Sequence, residues 1–316
     1  MLPFRRAEWG RHAPPRLEFV TMILSNVRRR LTYGLAPWIR FLPPWWRWRV
    51  YSRLRGDPYQ EDGFSNVMRN ARIAPHGYEM ELALDNWAER YAYFARSHYA
   101  QAIVMTVETL LRSGDWFLDI GANIGMLSLP AARAVGPTGR VLAFEPNVHL
   151  AERLGRSLER NRITNVDVFP VALGDANGSG SLDSGVQHVV GSLRSGVGAT
   201  VPIRKGDDLL PPIPTSARVL AKIDVEGYEQ RVLSGLGRLV SRPGTGFLIE
   251  ITDSWLREMG GSAEELFDAL KSRRYACFLA ELNRRSRLSF KEIGGPLPRH
   301  QYDVLFVRPT DRWVPD

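Results

Sequence analysis

The chain has 316 residues, 44% of them hydrophobic and 24% charged, which is the composition of a globular protein with room for one large α/β domain and an appendage. Its single cysteine, Cys277, excludes an intrachain disulfide framework and fits a reducing, cytoplasmic compartment. The formal charge of +8 is local: residues 1–56 hold twelve arginines against Glu8 and Glu18, whereas the remainder, with 30 basic and 32 acidic residues, carries −2. A near-neutral body argues against an enzyme that grips nucleic acid around its active face.

Residues 1–56 are basic, aromatic and tryptophan-rich, with Trp38, Trp45, Trp46 and Trp48 set among Arg40, Arg47 and Arg49. Residues 17–35 have the pattern of an amphipathic helix, and Arg28, Arg29 and Arg30 fall late in it, where cations meet the negative helix end. No apolar run approaches the roughly 20 residues that span a bilayer. Tryptophan with arginine suits a membrane surface, indole at headgroup level and guanidinium on anionic lipid. Peripheral membrane contact through residues 1–56 is therefore expected. The competing readings are a targeting peptide, an ordered domain that packs its tryptophans, and an extension ahead of a start at Met22.

Residues 57–115 form a cap region ahead of the core. Residues 78–84 alternate as a strand would, and helices are expected over 91–99 and 101–112, the second ending at Ser113-Gly114. His76 and His98 are expected to be surface or packing residues. From 116 onward strand and helix alternate. Strand 116–120 leads to helix 124–135, strand 140–145 to helix 147–162, and then comes strand 166–173. Residues 174–205 are rich in Gly and Ser, read as hairpins or a flap, and contain His188. Strand 217–224, helix 228–239, strand 246–251, helix 262–274 and a closing pair, 275–281 and 302–308, complete the chain. The alternation predicts an α/β fold, a doubly wound, mostly parallel, Rossmann-like sheet spanning 116–316. Pro130 removes a hydrogen bond from its helix and implies a late start or a kink.

Chemistry concentrates at three strand ends. Asp119-Ile-Gly-Ala-Asn-Ile-Gly125 is a strand–turn–helix junction in which Gly121 permits a sharp turn and free N–H groups offer a seat for a polar or anionic cofactor group. Its spacing is not that of a dinucleotide loop. Glu145 ends the next strand, where a carboxylate can accept both protons of a ribose diol; no basic residue stands beside it for a 2′-phosphate. Lys222-Ile-Asp-Val-Glu-Gly-Tyr-Glu229 and then Phe247-Leu-Ile-Glu250 follow two further strands.

Taken in order, these motifs resemble the FkbM-type family of S-adenosylmethionine (SAM)-dependent methyltransferases, over roughly residues 79–251. The resemblance implies a class I methyltransferase fold, SAM as cofactor and S-adenosylhomocysteine (SAH) as product. It implies transfer to hydroxyls of glycans, glycolipids or polyketide-type metabolites. On this reading Asp119, Gly121, Ala122, Asn123 and Gly125 hold the amino-acid end of SAM, Asn123 through its amide or as the helix N-cap. Glu145 takes the ribose, and Ala172 and Leu173 lie against adenine. Methyl transfer is an in-line displacement, so alignment and water exclusion carry most of the load. Asp224 is the expected base or orienting acceptor, with Glu226 the runner-up, and Glu229 steadies the helix that follows. Lys222 is expected to hold down a neighbouring carboxylate's pKa or to reach solvent. Asp224 and Glu250 offer oxygens to Mg²⁺, but no third ligand is evident, so a metal is not favoured. Asp207 takes the family's "tLD" place, with Gly206 where leucine is usual. The family also implies a closing antiparallel edge strand at 302–308. Two other readings remain, an RNA methyltransferase gripping through the arginine-rich arm and a non-catalytic interaction module.

Overall fold

The computed structural model describes residues 38–39, 41–42, 46–47, 50, 64, 66–182, 199–283, 287–311 and 313. The helix expected over 17–35, Met22 and His188 lie outside these residues. Strands β1 (Met68–Ile73) and β2 (Tyr78–Ala83) form a two-stranded sheet. The chain divides into two compact units, one of Met1–Arg69 with Leu82–Arg96, the other of Asn70–Glu81 with Ser97–Asp316.

In the smaller unit, helix α1 (Trp87–Ala95) starts at Asn86, whose side chain accepts from the Ala88 and Glu89 N–H groups. The helix begins four residues earlier than the aromatic pattern of 91–99 predicts, because this cap sets the boundary. Arg90 is fully buried and donates to the Leu84 carbonyl at 2.7 Å.

The larger unit is built on an eight-stranded sheet. Its elements are α2 (Gln101–Leu110), β3 (Trp116–Ile120), α3 (Ser128–Val135), β4 (Arg140–Phe144), α4 (Val148–Arg160), β5 (Val166–Phe169), β6 (Ala172–Gly174), β7 (Gly178–Leu182), β8 (Ala199–Lys205), α5 (Gly206–Leu209), β9 (Val219–Ile223), α6 (Glu229–Gly235), α7 (Gly237–Ser241), β10 (Thr245–Ile251), α8 (Asp253–Glu258), α9 (Ala263–Lys271), β11 (Ala276–Leu282), β12 (Leu288–Ile293) and β13 (Tyr302–Val307). The order is β12-β11-β13-β10-β9-β3-β4-β5, parallel from β10 to β5 and antiparallel where β13 and β12 join. This is the expected doubly wound α/β sheet. Successive side chains face opposite layers: Leu118, Ile120, Ala221, Ile223 and Ile249 pack toward α6, α7 and α9, while Phe117, Leu220, Leu248 and Leu305 pack toward α2 and α3.

Four expectations are corrected. Helix α3 starts at Ser128, not 124, which puts Pro130 in the first turn, where its missing N–H costs nothing. The strand expected over 166–173 breaks at Pro170, and Ala172 and Leu173 join β6 in a separate three-stranded sheet with β8 and β7. The helix expected over 228–239 is two short ones, α6 and α7. The strand at the C-terminus is internal, paired with both β10 and β11; the edge is β12, which was not anticipated. Burial explains the order: β13 is almost wholly buried, as a central strand is, whereas β12 is half exposed. Gly206 has a local reason, since a Cβ there would lie 2.4 Å from Leu236 Cδ2.

Candidate functional site

The glycine loop between β3 and α3 is rigid and internally satisfied. Gly121 sits at φ +86°, and a Cβ on it would meet the Asp224 carbonyl oxygen at 2.0 Å. Only glycine permits that backbone and that approach. Gly125, at φ +87°, would strike Leu154 Cδ1 at 2.2 Å. The N–H groups expected to face a ligand are already used. Those of Gly121 and Ala122 donate to the Phe144 carbonyl at 2.9 and 3.0 Å, and that of Asn123 donates to Glu145 Oε2 at 2.8 Å. Those of Ile124 and Gly125 donate to Asn123 Oδ1 and the Ala122 carbonyl. Asn123, at φ +52°, lies in the turn and not at the helix N-cap, which corrects that expectation.

Asp119 is buried beneath this loop and accepts from the Ser128 hydroxyl at 2.5 Å. Burial raises its pKa to about 6. Ser128 is a residue sequence reading missed, since nothing in its local pattern points to Asp119. Glu145 is also buried. It accepts from Asn123 and Asn147 N–H groups, one on each oxygen, which fixes the carboxylate and leaves further lone pairs for hydroxyl donors. Burial pushes its pKa up to about 7, against those two hydrogen bonds.

A cavity opens between these elements. Gly121, Glu145, Ala172, Leu173 and Asp224 line it, with Ile120, Phe144 and Val171 as apolar walls. Five candidates from four separated stretches thus share one wall. Asp119, Ala122, Asn123, Gly125 and Glu226 do not line it. The wall fits an adenosine: apolar contact for a base, an anchored carboxylate for a diol, and a glycine where a side chain would fill the space.

Asp224, one residue beyond β9, borders both this cavity and a charged cluster on the α2/α3 face. The Lys222 ammonium, 3% exposed, lies 3.1 Å from Asp224 Oδ2 and 3.2 Å from Asp303 Oδ1. Register brings Glu250 of β10 opposite Asp303 of β13. Gln301 Nε2 donates to Glu250 Oε1 at 2.7 Å. Burial first, then the Asp224 charge, pushes Glu250 well above the usual carboxylate range. Burial works against the Lys222 charge, and Asp224, Asp303 and Glu250 more than offset it, so the ammonium persists. Lys222 therefore bridges carboxylates and does not reach solvent. It also fills the space between Asp224 and Asp303. Among the described residues no three His, Cys, Asp or Glu side chains are grouped to hold a metal ion.

The turn after Asp224 carries Glu226 at φ +50° and Gly227 at φ +100°. Glu229 accepts from the Val225 and Gly227 N–H groups at 3.2 and 3.1 Å and so fixes this turn; burial raises its pKa to about 7. Asp207 accepts from the Arg238 N–H at 3.1 Å, outside the cavity. His76 pairs with Glu108. His98 accepts from the Ala100 N–H at 2.9 Å through Nδ1, and burial lowers its pKa to about 4, so it is neutral with its proton on Nε2.

Residues 119–277, half of the chain, match the methyltransferase FkbM domain family. Among curated proteins, 59 residues are 36% identical to the 23S rRNA (uracil(1939)-C(5))-methyltransferase RlmD of Acinetobacter baylyi, 19% of this chain and 13% of that protein. The chain thus spans a small fraction of the curated relative it matches. Among solved structures it is similar to the precorrin-6y C5,15-methyltransferase of Geobacter metallireducens (16% identity, TM-score 0.38, covering 67% of this chain and 88% of the other). It is also similar to a Streptococcus mutans protein solved in complex with SAH (11% identity, TM-score 0.39, covering 65% and 95%).

Proposed function

Because this chain belongs to the FkbM-domain family of SAM-dependent methyltransferases, we propose that it moves the methyl group of SAM to a hydroxyl of a glycan, glycolipid or polyketide-type metabolite. The observation that carries the reading is the shared wall: Glu145, Ala172 and Leu173 fit the adenosine end, and Asp224 stands where the same cavity meets a second, polar cluster. When bound, SAM supplies a methyl carbon on a positively charged sulfur. An acceptor oxygen held in line would bond to that carbon as the carbon–sulfur bond broke, the electron pair leaving with the sulfur. Asp224 takes the hydroxyl proton, or orients it toward solvent. Lys222 donates to the Asp224 carboxylate and holds it in place. Glu226 is the second candidate, on a turn whose left-handed backbone is stored strain.

The test is glycoside-dependent SAH release by the full-length chain, with the methyl ether identified by mass. Neutral methyl glycosides should be methylated. Transfer to RNA in their place would favour the second reading, which draws on the 59-residue similarity to an rRNA methyltransferase and the twelve N-terminal arginines.

Peripheral attachment at a membrane surface belongs to the same proposal. Trp38, Phe41 and Trp46 are 69%, 71% and 46% exposed, and no helix among the described residues is long and apolar enough to cross a membrane. Co-sedimentation of the full chain with anionic vesicles should be lost in a Trp38→Ala/Trp46→Ala variant; equal binding would sink the attachment.

A further inference from the structure

Among the described residues that line the cavity, the charged side chains are two acids, Glu145 and Asp224, and none is a cation. Each Glu145 oxygen accepts from a backbone N–H. Asp224 has a different kind of partner, the Lys222 ammonium, which donates to Oδ2 at 3.1 Å. A buried lysine beside a single carboxylate makes a neutral pair, and a neutral pair offers little to a charged ligand.

Lys222 has a second acid, however. Its ammonium lies 3.2 Å from Asp303 Oδ1 and does not line the cavity. Strand β10 stands between β9 and β13, so the lysine side chain crosses one strand to reach Asp303. It is drawn over the sheet, away from the cavity that Asp224 borders. Burial works to raise the Asp303 pKa and the adjacent ammonium works to lower it. An ammonium at that distance favours the ionised acid. Two carboxylates then stand against one ammonium, and the row Asp224–Lys222–Asp303 carries one negative charge in excess.

We propose that Asp303, acting through Lys222, leaves a net negative charge beside the cavity, and that this charge selects the sulfonium of SAM over the uncharged thioether of SAH. The inference rests on the methyltransferase reading of the same site. It adds a specificity-determining residue from outside the cavity wall and a reason for the spent product to leave. The charged sulfur of SAM is one carbon from the ribose, and Asp224 shares a wall with Glu145, the carboxylate that suits the ribose diol. Methyl transfer removes the positive charge from the sulfur, so the attraction is present before the reaction and absent after it.

The experiment is calorimetric titration of the full-length chain with SAM, SAH and sinefungin, an analogue with an amino-bearing carbon in place of the methylated sulfur. SAM and sinefungin should each bind about tenfold more tightly than SAH. Asp303→Asn neutralises the row and should narrow that gap at least threefold, with SAH affinity held within about twofold. Lys222→Met combined with Asp303→Asn leaves the Asp224 charge alone, the same net charge as the wild type, and should keep the gap. Equal affinity of the wild type for all three ligands would overturn the inference. So would an Asp303→Asn variant that weakens all three alike, which is the mark of a structural role, or a double variant that loses the gap. A wild type that binds none of the three would be the distinct result that overturns the methyltransferase reading and this inference with it.

Discussion

The two ends of the site are built on opposite plans. At the end proposed for adenosine, every N–H from Gly121 to Gly125 is hydrogen-bonded within the protein and both Glu145 oxygens are anchored. At the end proposed for the acceptor, two carboxylates, Asp224 and Asp303, hold one buried ammonium, and Glu250 lies opposite Asp303 in register. A constant ligand can be met by a rigid, self-satisfied wall, whereas a proton must move at the other end, and groups held in electrostatic competition are ready to exchange it.

Breaking the acceptor end should cost the most. Asp224→Asn should lower methyl transfer by about 10²–10⁴-fold while SAH binds as in the wild type, because a positioned base contributes that much. Glu226→Gln should fall less than about tenfold in the same single-turnover assay; the reverse order would move the proton to Glu226. Lys222→Met should destabilise the fold by about 3–5 kcal/mol in urea titration, since two carboxylates lose their buried partner. Adding Asp303→Asn should restore part of that loss, and no recovery would show that the pair is not coupled.

The adenosine end breaks sterically. Gly121→Ala should cost about 2–3 kcal/mol, from a left-handed backbone and a Cβ driven at the Asp224 carbonyl, and weaken SAH binding with it. A stable variant with wild-type affinity would show that the approach of β9 to the loop is not needed.

The smallest effect is a pH dependence shared by the buried acids. Burial raises Asp119 to about 6, and Glu145 and Glu229 to about 7. The folded chain therefore keeps protons that the unfolded chain releases at ordinary carboxylate values. Their contribution to stability is complete below about pH 4 and is lost as pH rises through about 6 to 7. The melting temperature of the SAH-free protein should thus fall between about pH 5 and pH 7.5, and Glu145→Gln with Glu229→Gln should flatten that fall. A rise over the same interval would mean that the carboxylates are charged and paired in the fold.

The glycine loop and Glu145 beside the cavity were legible in the sequence because their parts are local. A glycine that needs a positive φ and an acid that ends a strand each announce themselves within a few residues. Pro130 and Pro170 marked where a helix starts late and where a strand breaks, and only the second signal went unread. The acceptor end was half legible. Lys222 and Asp224 lie two residues apart, and their pairing was anticipated in part. Asp303 arrives by sheet order, from a strand threaded between β10 and β11. No pattern near Asp303 encodes that arrival. Nor did local pattern show that the loop N–H groups are spent, because their acceptors, Phe144 and Glu145, belong to the neighbouring strand and its end.

The claim beneath all of this is that Glu145 anchors a nucleoside in the cavity beside Asp224. The most direct measurement is calorimetric titration of SAH into the full-length chain and its Glu145→Ala variant. The account predicts binding in the micromolar range for the wild type and at least about tenfold weaker binding for the variant. A folded wild type that does not bind SAH, or a variant that binds it equally well, would contradict the account.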